Sequence, residues 1–203
     1  MTSTRRELIP GNLYDKAHTK NPIARMLCQG YLRALDELLS PMDAGNILEV
    51  GSGEGLIVEH LWRAFPASGL MAIDLSFGMA CMTRDRIPAT QSMCASASEL
   101  PFPTRSFDLV LCVEVLEHLE EPGRAAQEIV RVGKGNVILS VPREPIWRIL
   151  NALRGAYLRD LGNTPGHVQH WTAGEFIRFA HHHLEVDRIC FPFLWVMISG
   201  RIR

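Results

Sequence analysis

The chain has 203 residues, 47% hydrophobic and 21% charged, and its 21 Lys and Arg against 22 Asp and Glu leave a formal net charge of −1. That balance excludes disordered, fibrous and broadly basic nucleic-acid-coating proteins, and no uncharged apolar stretch reaches the ~18 residues of a membrane span. The five cysteines (Cys28, Cys81, Cys94, Cys112 and Cys190) are odd in number and form no CxxC pair, which argues against a disulfide framework or a zinc knuckle and suits a reducing cytoplasm.

The opening MTSTRRELIPGN lacks the apolar centre of a signal peptide, and residues 1–21 are polar with a turn at Pro10-Gly11. Tyr14, Lys16 and His18 stand in this stretch, within reach of a ligand. From Pro22, apolar residues at Ala24, Met26, Leu27, Tyr31, Leu32, Leu35, Leu38 and Leu39 recur at helical spacing and stop near Pro41. Such a helix either caps a ligand site or lies flat on a sheet. Ile47, Leu48 and Val50 then form a short apolar run that ends at Gly51, Gly53 and Gly55, and a helical pattern resumes through Leu56, Ile57, His60, Leu61, Ala64 and Phe65. That is a strand, a tight turn and a helix.

A second strand is expected over 69–74, a helix over 77–85, a third strand over 91–95 and a proline-containing loop over 96–105. SFDLVLCV (106–113) is the clearest strand, followed by a helix over 124–132 and a fifth strand, VILSV, over 137–141. Pro142 stops that strand, and a helical pattern follows over 146–153, then a polar loop with Gly162, Pro165 and Gly166. A last helix over 173–182 precedes two β-rich runs, 184–191 and 193–199, whose pairing through Pro192 makes an antiparallel hairpin at the end of the sheet. Strands alternating with helices at this spacing imply βαβ units and a mostly parallel sheet covered on both faces. No flexible linker divides the chain, so a single domain over 1–203 is expected.

Chemistry concentrates at the first turn. Glycines there let the backbone turn sharply and approach a ligand closely, and the open N–H groups of a helix start face whatever lies above. A dinucleotide fingerprint, GxGxxG, needs its third glycine at 56, where this chain has Leu56. Asp74 ends the second strand nineteen residues past Gly55, where a carboxylate can accept both hydroxyls of a ribose.

Glu49 followed by GxGxG resembles motif I of the class I S-adenosylmethionine (SAM) methyltransferases. LPFPTRSFDLVLCVEVLEHLEEP (100–122) resembles the second block of the large superfamily that includes the ubiquinone-pathway enzymes. The resemblance covers roughly 46–142, with a looser echo in HVQHWTAGEF (167–176). It implies an α/β, Rossmann-like class I methyltransferase fold with a seven-stranded, mostly parallel sheet, a C-terminal antiparallel hairpin and helices on both faces. It also implies an N-terminal helical cap (1–43), a cofactor-binding core (44–142) and an acceptor-side loop, helix and final strands (143–203).

Carried over residue by residue, the resemblance puts Glu49 and the backbone of Gly51, Ser52, Gly53 and Gly55 on the methionine part of SAM, Asp74 on the ribose and Leu75 against the adenine. Many relatives carry an acidic residue where this chain has Ser96, so Ser96 and the Ala97 backbone are the expected substitutes at the adenine amino group. Cys112 and Glu114, at the C-terminal end of the fourth strand, are expected to floor the methyl-transfer site.

In methyl transfer the cofactor carries the difficult chemistry, and a base is needed only for a weakly acidic acceptor. His118, His167 and His170 are candidates for it, beside Glu114. If VEVLEHL continues as a helical turn, Glu114, Glu117 and His118 share one face. With His167 before Trp171-Thr172, this set resembles the four metal ligands of the small-RNA 3′-terminal 2′-O-methyltransferases. A Mg²⁺ or similar hard ion held there would lower the pKa of an acceptor hydroxyl. The alternative for the Glu-His pair is that the His packs against the loop before a helix. Arg143 is either a contact for an acidic acceptor or a surface partner of Glu144, and His181 to His183 suit a helix C-terminus. The four tryptophans do not cluster in sequence.

Together these readings lead to a SAM-dependent methyltransferase acting on a small organic acceptor, at oxygen. Two alternatives stand beside it. One is metal-assisted 2′-O-methylation of an RNA end, which the absence of a basic surplus disfavours; the other is a catalytically inactive SAM-binding regulatory or scaffold protein.

Overall fold

A computed structural model describes residues 21–153 and 166–203. Tyr14, Lys16, His18 and the loop glycine and proline at 162 and 165 lie outside the described residues.

Helix α1 (Pro22–Leu39) starts where Asn21 accepts the amide of Ile23 at 2.9 Å, with Pro22 preset for the first turn. Its Tyr31, Leu35, Leu38 and Leu39 recur on one side and are buried, each fully buried leucine contributing roughly 1.5–3 kcal/mol. Strand β1 (Asn46–Val50) leads into α2 (Leu56–Ala64), β2 (Gly69–Asp74), α3 (Phe77–Arg86) and β3 (Gln91–Cys94). Strand β4 (Phe107–Val113) ends in a 3₁₀ turn (Leu116–His118), followed by α4 (Pro122–Val132), β5 (Gly133–Pro142) and α5 (Ile146–Leu153). Helix α6 (Ala173–His183), β6 (Glu185–Cys190) and β7 (Trp195–Arg201) complete the fold.

The seven strands lie in the order β3-β2-β1-β4-β5-β7-β6, parallel from β3 to β5. Strand β7 runs antiparallel between β5 and β6. Side chains alternate across the sheet. Ile47, Leu109, Leu111 and Ile138 pack with α1 and α2 in one core. Leu48, Val50, Val110 and Val137 pack with α4 and α6 in the other. The expected layers on both faces are therefore present, and all five parallel strands end on one rim.

Several boundaries differ from the sequence reading, two of them with a clear physical reason. Helix α4 begins at Pro122 rather than 124, because proline fits the first helical position. Strand β5 begins at Gly133 rather than 137, although GKGN reads as a turn. A Cβ on Gly135 would stand 2.4 Å from the Asp108 carbonyl oxygen, so this glycine marks a close strand approach beside the irregularity in the β4–β5 register, not a loop.

Candidate active site

The rim is built around the turn from β1 to α2. Gly51, Gly53 and Gly55 have φ of +80°, +52° and +79°, a region that side chains other than glycine's rarely enter. Their surroundings differ. A Cβ on Gly51 would stand 2.3 Å from Val115 Cγ2, and one on Gly55 would stand 3.1 Å from Thr83 Cα, whereas one on Gly53 would meet nothing within 4 Å. Two glycines thus answer to the protein's own packing, and Gly53 alone faces open space.

Four amides of the turn, those of Gly51, Ser52, Gly53 and Gly55, bond within the protein. Gly51 and Ser52 both donate to the Ile73 carbonyl at 2.8 Å, and Gly55 donates to Ser52 O at 2.9 Å. Gly53 donates to Asp74 Oδ2 at 2.9 Å, and Ser76 donates to Oδ1 at 2.8 Å. From beneath, Thr83 Oγ1 on α3 donates to Gly53 O at 3.0 Å and lies 3.1 Å from Ser52 Oγ. Thr83 went unnoticed in the sequence, where it is one more polar residue of a helix.

Glu49 is 1% exposed, and its Oε2 is buried with no hydrogen-bond partner. Burial, helped by the nearby Asp74 charge, pushes its carboxyl well above the usual carboxylate range. Leu75 is 55% exposed just past β2, with Cys94 Sγ donating to its carbonyl at 3.2 Å. Ser96 accepts from its own loop, at the Ser98 amide (3.2 Å), and Ala97 is half-buried against the second core. The Cys112 thiol is fully buried in that core, which also pushes its pKa up. Cys112, expected at the floor of the site, turns its side chain into the second core, because alternate residues of a strand face opposite ways.

The second block reaches the rim through the 3₁₀ turn. Val168 and Gln169 donate to the Glu117 carbonyl at 2.9 and 3.0 Å, and Gln169 Nε2 donates to Leu119 O at 3.0 Å, so 166–170 is strapped onto that turn. Glu117, His118 and His167 consequently meet, with one ligand-type atom from each lying within 4.8 Å of the others. The His118 and His167 ring centroids are 4.9 Å apart. His118 Nδ1 bonds the Gly166 carbonyl at 3.0 Å; a carbonyl only accepts, so Nδ1 carries the hydrogen and Nε2 keeps a lone pair. Burial holds the imidazole pKa below its ordinary value.

Glu114 does not join this group, because the chain turns at it with φ of +59° instead of continuing as helix. Its carboxylate accepts Trp195 Nε1 at 2.5 Å and Ser140 Oγ at 3.2 Å, and Ser140 Oγ lies 2.7 Å from the Tyr31 hydroxyl. His170 is exposed and its charge bears on Glu144. Arg143 stacks over Phe191 at 5.6 Å, while Glu144 accepts the Arg148 amide.

The aromatic residues gather in space as they do not in sequence. Tyr31, Trp195, Trp147 and His167 follow one another with centroid separations of 5.1, 5.6 and 6.4 Å. Among them Ser140 carried a readable signal, a polar residue inside an apolar strand; the tryptophans carried none.

A family model described as a methyltransferase domain matches residues 48–141. A probable SAM-dependent methyltransferase of Mycobacterium tuberculosis is 35% identical over 98 residues, 48% of this chain and 35% of that protein. The mitochondrial ubiquinone biosynthesis O-methyltransferase of Arabidopsis thaliana is 26% identical over 154 residues, 70% of this chain and 48% of that protein. The chain thus spans a third to a half of the length of these relatives. A SAM-dependent methyltransferase from Aquifex aeolicus shares the fold, with a TM-score of 0.71 at 16% identity over 94% of this chain and 98% of that one.

Proposed function

We propose that the chain is a class I SAM-dependent methyltransferase and that it transfers a methyl group from SAM to an oxygen of a small organic acceptor. The observation that carries this reading is Glu49 Oε2, buried and unpartnered two residues before the glycine turn. A lone carboxylate oxygen there suits a cationic ligand, since burial without a partner is otherwise costly.

The residues present fit SAM. Gly53 leaves room for the methionine part, and Glu49 faces its positive charge. Asp74 has given one lone pair of each oxygen to backbone amides and keeps the others for ribose hydroxyls. The exposed Leu75 covers the adenine, with Ser96 and Ala97 at its edge. When bound, SAM supplies a methyl group on an electron-poor sulfonium. The chain's own task is alignment, which contributes ~7 kcal/mol or more where the geometry is near attack.

His118 is the base of this reading. Its Nε2 lone pair, fixed by the Nδ1–H bond to Gly166, takes the proton of an acceptor hydroxyl. An oxygen acceptor is favoured by that base and by the similarity to the Arabidopsis O-methyltransferase. Glu114 serves by position, tying the end of β4 to β5 and β7 through Ser140 and Trp195.

The Glu117, His118 and His167 cluster favours a second reading, in which these three hold a metal ion. Two imidazoles beside one carboxylate suit an ion such as Mn²⁺ or Zn²⁺ better than the all-oxygen preference of Mg²⁺. When bound, the ion would lower the pKa of the acceptor hydroxyl.

Calorimetric titration with SAM and with its demethylated product, followed by transfer of labelled methyl to a panel of small hydroxyl acceptors, tests the proposal. Binding of both ligands and a labelled product are expected. Binding without product across the panel would favour the regulatory alternative, and binding of neither would remove the cofactor assignment.

A further inference from the structure

The loop that carries Ser96 and Ala97 is braced at both ends. At its start Ala95 donates its N–H at 2.9 Å to the backbone carbonyl of Asp74, whose side chain is the candidate for the ribose. In its middle Ser96 Oγ accepts the Ser98 amide and Ser96 O the Glu99 amide, both at 3.2 Å, which folds 96–99 into a turn. At its end two side chains of α4 hold the backbone. Glu128 Oε2 accepts the Leu100 amide at 2.7 Å, while Arg131 donates to Leu100 O at 2.8 Å and to Phe102 O at 2.7 Å.

Glu128 and Arg131 stand at i and i+3 on one side of the helix and are bonded twice to each other, Nε to Oε1 and Nη2 to Oε2, both at 2.7 Å. Those mutual bonds hold the Glu128 carboxyl below and the Arg131 guanidinium above their ordinary pKa values, so both stay charged. With side chains 20% and 34% exposed, the pair contributes little as an ion pair. Its effect is to fix backbone. The Arg131 carbonyl also accepts the Arg105 amide at 2.8 Å, so this one residue holds the segment at Leu100, Phe102 and Arg105.

Ser96 and Ala97 are short, and neither can reach a ligand by changing rotamer. Any contact they make depends on where the backbone stands. Among the described residues no group accepts the Ala97 N–H, and Ser96 Oγ, having accepted one amide, keeps a second lone pair. One donor beside one acceptor matches the edge of adenine, where ring nitrogen N1 accepts and the amino group donates.

We propose that Glu128 and Arg131 are positioning residues for recognition of the base: they hold 95–102 so that the Ala97 N–H and the Ser96 hydroxyl meet the N1 and amino group of adenine. The inference rests on the SAM reading and adds to it what selects the base.

The test is calorimetry with S-adenosylhomocysteine and with S-inosylhomocysteine, in which a carbonyl replaces the amino group and N1 carries a hydrogen. The wild type should prefer the adenosyl compound by roughly tenfold or more, because the inosyl edge leaves both protein groups mispaired. Arg131→Gln should shrink that preference to about twofold, and Arg131→Lys, which keeps the charge without the planar fork, should fall between. Thermal melting checks that the variants fold; if Arg131→Gln does not, Arg131→Lys carries the comparison. Binding of neither ligand by the wild type removes the SAM reading and this inference with it. A wild type that binds the two compounds equally, or a preference that both variants retain, overturns this inference alone. So does an equal loss of affinity for both ligands, the mark of a merely structural role.

Discussion

Gly53 gives its backbone N–H to Asp74 Oδ2 across 2.9 Å, so the carboxylate that ends β2 also closes the turn that ends β1. Asp74 is therefore both a wall of the cradle and the candidate for the ribose. Asp74→Ala removes both, and SAM affinity should fall by tenfold or more, consistent with the ~1–3 kcal/mol of a lost charged hydrogen bond. Asp74→Asn keeps one acceptor oxygen and should fall between. Calorimetry on the three proteins checks the order, and an unchanged affinity in the alanine variant would refute the assignment.

The glycines of the turn should separate stability from binding. Gly51→Ala places a methyl against Val115 at a positive φ and should cost about 1–3 kcal/mol in chemical unfolding. Adding Val115→Ala should recover part of that loss, because it removes the clashing methyls. Gly53→Ala meets no atom of the protein, so its stability loss should be the smaller, while the new methyl would enter the space proposed for SAM and should weaken its binding.

Glu49 makes a pH prediction. Its carboxyl is raised in the folded chain, so the unfolded chain ionises first as pH climbs past about 4.5, and from there to the folded value the buried group progressively destabilises the ligand-free protein. Below the unfolded pKa both states are protonated and the effect vanishes. Glu49→Gln should therefore raise the melting temperature near neutral pH, do little near pH 4, and lower SAM affinity at neutral pH. Melting curves across that range, with calorimetry at pH 7, decide it; equal gains at both pH values would be inconsistent with a raised carboxyl.

The histidine cluster distinguishes base from metal. If His118 Nε2 acts alone, His118→Ala should lower kcat by roughly 10²-fold or more, and a chelator should change nothing. If the cluster holds an ion, a chelator should abolish transfer, Mn²⁺ or Zn²⁺ should restore it, and Glu117→Gln and His167→Ala should each weaken metal binding measured directly by titration.

Much of this protein was legible in the chain itself. The order of strands and helices follows from local periodicity, and the turn from glycines at 51, 53 and 55. The resemblance to a methyltransferase family rests on two motifs whose residues are near one another in sequence, so the physics that shapes each of them is local. Tertiary structure decided what each of those residues touches. It showed Gly51 and Gly55 answering to Val115 and Thr83, and the turn's amides bonding to Ile73 and Asp74. It turned Cys112 into the core, because a strand sends alternate side chains to opposite faces. It parted Glu114 from Glu117 and His118, because a left-handed residue breaks the helical face that spacing alone suggests. His167, forty-nine positions after His118, meets it only because backbone bonds to Glu117 strap one segment onto the other, and contacts of that range leave no periodic trace in a sequence.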